Sequence, residues 1–266
     1  MNNLIKITFF VFLLSCGQDI TYENNIKEDL TFLADDKLEG RKTGTEGEKL
    51  AAKYISERFE KLNLNDKGTK NYYQDFYFGK NNNPHEEIEF NKESDNSQIH
   101  ARNVVGFLDN GGSSTVVIGA HYDHLGYGEE SSLYFGDEVL IHNGADDNAS
   151  GTSLLLDLAN RLATKELKSN YLFIAFSGEE MGLLGSNYFL KNPTVSKNEI
   201  NYMINMDMVG RLNKENKLSV SGVGSAKIFK QIVNSNNSNF NLVEFGSSST
   251  SSFGSSDHAS FYYEDI

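Results

Sequence analysis

The hydrophobic pattern changes rhythm near residue 100. Before it, residues 26–38 and 46–62 carry apolar side chains at helical spacing, the second stripe built from Leu50, Ala51, Tyr54, Ile55, Phe59 and Leu62. This spacing predicts two amphipathic helices, separated by the turn Glu39-Gly40-Arg41-Lys42-Thr43-Gly44-Thr45. Residues 63–100 are rich in Asn, Lys and Glu around one aromatic patch, Tyr72–Phe78. They are too few for an inserted domain and read as a hairpin with loops.

From Arg102 onward, strands alternate with helices. The apolar runs 103–108, 115–120, 171–176, 202–206 and 218–221 predict strands, and residues 150–163, 182–190 and 226–233 predict helices. Buried strands alternating with helices imply a three-layer α/β domain with a mixed, mostly parallel central sheet flanked by helices. No repeat period appears. The Ser-rich stretch 246–256 reads as a loop.

The N-terminus follows another pattern. A short polar stretch ending at Lys6 is followed by an apolar run, residues 7–14, and then Leu13-Leu14-Ser15-Cys16. The run is shorter than the roughly 20 residues that span a bilayer and suits a secretory signal. Leu-Leu-Ser-Cys resembles the bacterial lipobox, in which the cysteine is lipidated. The expected organisation is a signal peptide over residues 1–15, a tether over 16–25 and one globular domain over 26–266. The expected location is exported, as a cell-envelope lipoprotein in the periplasm or on the surface, tethered through Cys16.

Composition narrows the function. Acidic residues outnumber basic ones 37 to 24, for a net charge of -13, which would repel a phosphate backbone and argues against a nucleic-acid partner. The single cysteine forms no internal disulfide. Ligands of open α/β sheets bind beyond the carboxyl ends of the strands, and there the acids gather. The run 115–120 leads into His121-Tyr122-Asp123-His124, the run 171–176 into Ser177-Gly178-Glu179-Glu180, and the run 202–206 into Asp207. Gly144-Ala145-Asp146-Asp147-Asn148-Ala149-Ser150-Gly151 precedes a helix.

Taken singly, these residues have ordinary uses as helix caps, first-turn acids or a core histidine. Together they would crowd like charges that repel unless a cation sits between them. Imidazole plus carboxylate without thiolate suits zinc, and a bridging carboxylate would hold two ions. His121 and Asp123 share one face of an extended segment, so Asp123 can orient the imidazole. In the pair Glu179-Glu180, one carboxylate can take metal while its neighbour handles a proton.

These motifs, together with Leu38-Glu39-Gly40-Arg41, Asn103-Val104-Val105-Gly106, Asn205-Met206-Asp207-Met208-Val209-Gly210 and Ser256-Asp257-His258-Ala259-Ser260-Phe261, resemble the co-catalytic dizinc exopeptidases related to bacterial leucyl aminopeptidase. Glutamate carboxypeptidase II and glutaminyl cyclase are more distant relatives. The resemblance implies the zinc-exopeptidase fold and an aminopeptidase acting on peptides with two zinc ions. His121 and Asp207 would bind one ion, Asp146 would bridge and Glu180 would bind the other. Glu179 would be the general base, Asp123 would orient His121, and Asp147 would join a turn that contains a cis non-proline peptide in that family. His258 is not normally a ligand there, and His124, Tyr122 and Arg211 read as packing or surface groups. Family members continue into a further strand and a loop bearing a last histidine ligand, whereas this chain stops at Ile266, so the expectation is a fragment. The rival readings are a single-zinc glutaminyl cyclase and a catalytically impaired binding protein on the same fold.

Overall fold

A computed structural model describes residues 18–79, 88–91, 98–129, 131–235, 241–244 and 256–266. The expected signal peptide, Cys16 and nearly all of the Ser-rich stretch 246–256 lie outside these residues. Among the described residues, no helix is long and apolar enough to cross a membrane.

Most elements follow the sequence pattern, but the first helix begins at Gln18, inside the stretch 16–25 expected to be a tether, and ends at Leu33 rather than Leu38. Helices α1 (Gln18–Leu33) and α2 (Glu46–Lys61) are joined by the turn-like segment Asp36–Arg41. Strands β1 (Asn65–Asp66), β2 (Tyr73–Gly79), β3 (Phe90–Asn91) and β4 (Gln98–Leu108) form the hairpin half of the sheet. Then come β5 (Thr115–His121), α3 (Gly151–Ala163), β6 (Asn170–Phe176), α4 (Leu184–Lys191) and β7 (Ile200–Asn205). Strands β8 (Lys217–Val220) and β9 (Asn241–Glu244) pair in parallel around α5 (Lys227–Asn234), and α6 (His258–Tyr262) follows.

The main sheet has the order β3-β2-β4-β6-β5-β7, with β1 on β4. It is mixed, as expected, but not mostly parallel: only β5 with β6 and β5 with β7 pair in parallel. The hairpin half is antiparallel up to the β4–β6 pair. Strand β4 begins five residues earlier than its apolar run, because Gln98–Arg102 pair with β2 and need only one covered face.

Alternation puts each inner strand in two cores. Ile118, Ala120, Phe173 and Ala175 face a cluster shared with Ala51, Ile55, Phe59, Leu155 and Leu156, under the helices α1, α2 and α3. Val117, Leu172, Ile174 and Phe176 face Phe189 and Phe261 on α4 and α6. Burial on both faces explains the unbroken apolar runs. Helix α2 starts on Thr45, whose side chain accepts from the Glu48 N–H.

A carboxylate and imidazole centre at the strand ends

Parallel registration assembles the site. His121 lies level with Phe176 on β6, so the residues three and four places beyond, His124 on one chain and Glu179 and Glu180 on the other, emerge side by side. Gly119 lies level with Asn205 on β7, and two residues on, His121 therefore meets Asp207.

Four polar devices fix this edge. The buried guanidinium of Arg41 donates to the carbonyls of Tyr122 (2.7 Å), Asn143 (2.7 Å), Gly144 (3.1 Å) and Leu33. It thus clamps the end of β5 to the loop before Asp146. Asn148 accepts from Met208 N–H (3.2 Å) and donates to Met206 O (2.9 Å), holding the same loop to Asp207. Asp123 accepts from Thr43 Oγ1 (2.9 Å) and from the Glu179 N–H (3.2 Å). Thr152 Oγ1 donates to the His121 carbonyl (2.9 Å).

His121 presents Nε2 to Asp147 Oδ1 at 3.2 Å and to Asp207 Oδ1 at 3.5 Å, with Glu179 Oε2 at 4.0 Å. Its Nδ1 faces Asp123, 3.7 Å from Oδ1. The same nitrogen lies within hydrogen-bond distance of the Asp123 backbone carbonyl, at 3.2 Å. Glu180 Oε1 lies 2.6 Å from His124 Nδ1, and Asp147 Oδ2 lies 4.0 Å from the same nitrogen. Two groups result, His121 with Asp147 and Asp207, and His124 with Asp147 and Glu180.

Asp147 is common to both groups, and this corrects the sequence assignment, which gave the bridging position to Asp146. Asp146 Oδ1 instead accepts from Gly210 N–H (2.9 Å) and Ser150 Oγ (3.3 Å), bracing the turn after Asp207. The backbone decides between the two neighbours. Gly144 is left-handed at φ 56, where a Cβ would come within 2.2 Å of the Asp147 carbonyl. Asp147 then turns to φ -109, ψ 94, which sends adjacent side chains to opposite sides. The Asp147–Asn148 peptide is cis, where the resemblance led one to expect such a bond.

The electrostatics are those of a site short of positive charge. Burial pushes the His121 imidazole down, yet the carboxylates of Asp123, Asp147 and Asp207 hold it well above its ordinary value. Burial, with help from Asp257, Asp123 and Asp207, pushes Glu179 up to about 9 against the pull of His121. Asp207 is pushed up by burial, but the facing His121 outweighs this and leaves it lowered. Asp257, from the Ser-Asp-His motif, is fully buried, and among the described residues neither oxygen finds a hydrogen-bond donor. Burial carries it to about 7.

The residues fit zinc. Zinc ligands at 2.0–2.1 Å in tetrahedral array lie roughly 3.4 Å from one another, close to the 3.2 and 3.5 Å around His121 Nε2. Asp207 Oδ1 is buried without a hydrogen-bond donor among the described residues. Asp147, Glu180 and Asp207 stay partly open to solvent, as a centre that admits a substrate requires.

The sequence pattern that defines peptidase family M28 matches residues 103–266, more than half of the chain. This chain belongs to peptidase family M28. Aminopeptidase YwaD of Bacillus subtilis is 35% identical over 130 residues, 47% of this chain and 28% of that protein, so the match spans less than a third of the relative. A Zn-dependent exopeptidase from Parabacteroides distasonis has a similar structure, with a TM-score of 0.65 at 18% identity over 92% of this chain and 80% of that one. A glutaminyl cyclase from Tannerella forsythia has a TM-score of 0.64 at 20% identity, with the same coverage. Likeness at such identity is a likeness of fold.

In this M28 chain the sequence reading placed His121, Asp123, Glu179, Glu180 and Asp207 together, and the structure does too. It missed His124, Asp257 and the clamp by Arg41. For His124 the available signal was position: it follows β5 by the same three residues that separate Glu179 from β6. Tyr122 is a packing group whose hydroxyl donates to Arg102 O (2.8 Å), and Arg211 is a surface group.

Proposed function

We propose that the chain carries the catalytic centre of an exported, two-zinc aminopeptidase that removes N-terminal residues from peptides. The supporting observation is Glu179, whose backbone is tied to Asp123 and whose carboxylate lies 4.0 Å from His121 Nε2, beside the group that His121 forms with Asp147 and Asp207. His121, Asp147 and Asp207 would hold one ion, and Asp147 and Glu180 the other. Zinc there would polarise the scissile carbonyl and bring the pKa of an attacking water to about 7.

The chain's own residues supply the rest. Asp123 keeps His121 in one orientation. Glu179 takes a proton on its carboxylate and returns it to the leaving amine. A group pushed up to about 9 by burial and neighbouring carboxylates is brought back toward neutrality by cations on its flanks. The charge of the buried Asp257 adds to the proton affinity of Glu179. Export and a lipid tether at Cys16 complete the reading, and they rest on the N-terminal sequence.

The test is Glu179→Gln. Zinc content should be retained while hydrolysis of an aminoacyl p-nitroanilide falls by about 10²–10⁴-fold, the usual worth of a positioned general base. Undiminished hydrolysis would remove Glu179 from the chemistry. The glutaminyl cyclase reading, favoured by the shared fold, needs only one ion. Two zinc ions per chain and no cyclisation of an N-terminal glutaminyl peptide would exclude it.

A further inference from the structure

Glu48 has the sequence signature of a helix cap. Thr45-Glu46-Gly47-Glu48 has the spacing of a capping box, in which the glutamate reaches back to the backbone N–H of the capping residue. The fold uses it otherwise. The side chain is buried, and its Oε2 accepts from the N–H of Gly44 (2.6 Å), one residue before the cap. Its Oε1 accepts from the hydroxyl of Ser177, just past the end of β6 and 129 residues further along the chain.

Both partners lead to Asp123. Thr43, next to Gly44, donates its hydroxyl to Asp123 Oδ2 (2.9 Å), and Glu179, two residues beyond Ser177, donates its backbone N–H to Asp123 Oδ1 (3.2 Å). A closed ring results, with Glu48 at one pole and Asp123 at the other, and Thr43, Glu48, Asp123 and Ser177 are all buried. The N–H of Ser177 is held separately by Asn103 Oδ1 (3.1 Å), but Gly178, left-handed at φ 72, is a joint between that anchor and Glu179. The hydroxyl tie to Glu48 adds a second fixed point at residue 177, so the chain enters the joint in one direction.

We propose that Glu48 is a positioning residue of the centre: by tying Ser177 to Gly44 it holds Asp123 against His121 and the backbone of Glu179 against Asp123. It acts through Asp123 and Glu179 rather than on the substrate. Its effect on turnover rests on the aminopeptidase reading above, whereas its effect on the Glu179 backbone rests on this geometry alone. Outer groups that orient the residues of a metal centre are worth about 10–100-fold in activity. A cap with no further role would lower stability and leave turnover by the folded molecules unchanged.

The experiment compares wild type, Glu48→Met, Glu48→Gln and Ser177→Ala, with circular dichroism confirming the fold of each. Methionine fills a similar volume without a carboxylate, and glutamine keeps an oxygen for Gly44 and an amide for Ser177. Ser177→Ala cuts only the tie toward Glu179. Amide hydrogen exchange is read on the metal-free chain, and kcat and KM for an aminoacyl p-nitroanilide are read at saturating zinc.

In Glu48→Met and Ser177→Ala, the Glu179 amide should exchange about tenfold faster relative to the amide of Ile118, which lies in the buried strand β5 and reports the stability of the whole fold. In both, kcat should fall by about 10–100-fold with KM little changed, and Glu48→Gln should recover most of each loss. Should Glu48→Met fail to fold, Ser177→Ala decides. An unchanged ratio of Glu179 to Ile118 exchange in Ser177→Ala, or a wild-type kcat in folded Glu48→Met, would overturn the proposal. Failure of wild type to hydrolyse the anilide would instead bring down the aminopeptidase reading, and the exchange of the Glu179 amide would still decide the positioning.

Discussion

Glu48 offers a stability test independent of metal. It lies on α2 with 1% of its surface exposed, and one oxygen accepts from Gly44 N–H (2.6 Å) and the other from Ser177 Oγ. Burial, assisted by the charge of Asp123, raises its pKa to about 8 in spite of these hydrogen bonds and of Arg102. In the unfolded chain it returns to 4.5. Between those values the folded protein holds a proton that the unfolded chain has released. The stabilisation from this carboxyl is therefore complete below pH 4.5 and is lost as pH rises toward 8. Each pH unit inside the window is worth about 1.4 kcal/mol, so moving from pH 5 to pH 7 costs the fold about 3 kcal/mol through this one group. Glu48→Gln removes the titration but keeps an oxygen for Gly44 N–H and an amide for Ser177. Urea denaturation of wild type and variant at matched pH, with chelator throughout, isolates the term, because the other titrating groups are common to both. The variant's advantage should grow by about 3 kcal/mol between pH 5 and pH 7, or roughly 6–12 °C in Tm. A difference independent of pH across that window, or one that shrinks as pH rises, would refute the assignment of a protonated Glu48.

The remaining predictions concern the centre itself. Asp147→Asn should lower zinc stoichiometry below two, while Asp146→Asn should retain both ions and only loosen the turn that Asp146 braces at Gly210; equal zinc loss in both would restore Asp146 to the cluster. Arg41→Met should cost about 3–5 kcal/mol in urea denaturation, as for other broken buried charge networks, because four backbone carbonyls lose their donor. Arg41→Lys should recover only part of this, since an ammonium cannot span the same fork; full recovery would show that charge rather than geometry holds the loop.

How far the sequence carries differs between strands and ligands. The unbroken apolar runs at 115–120 and 171–176 announce strands buried on both faces, and the structure shows them as β5 and β6. The polar start of β4 was illegible because Gln98–Arg102 pair at the hairpin with one face only partly covered. The site follows the same division. His121, Glu179, Glu180 and Asp207 could be named because each directly follows an apolar run, and that position alone sends a residue to the ligand-binding edge. Choosing between Asp146 and Asp147 was beyond the sequence, since two adjacent identical residues differ only through the backbone angles of the turn from Gly144 to Asn148.

Registration explains the rest of the centre and its appetite for cations. The pairings His121 with Phe176 and Gly119 with Asn205 bring segments far apart in sequence to one height, so a shift of one residue in either pairing would separate the imidazoles from their carboxylates. Once aligned, Asp123, Asp147, Glu179, Glu180, Asp207 and Asp257 surround two imidazoles, with Arg41 behind them. Without metal, the fold meets this excess by holding protons: His121 is well above its usual value, Glu179 is at about 9 and Asp257 at about 7. Protons thus occupy a demand for positive charge that divalent cations would meet better. On the function proposed above, metal binding at this centre should release protons into solution and leave Glu179, the proposed base, ionised at the pH where a base is needed, so the same crowding that raises its proton affinity in the metal-free protein would prepare it for that role.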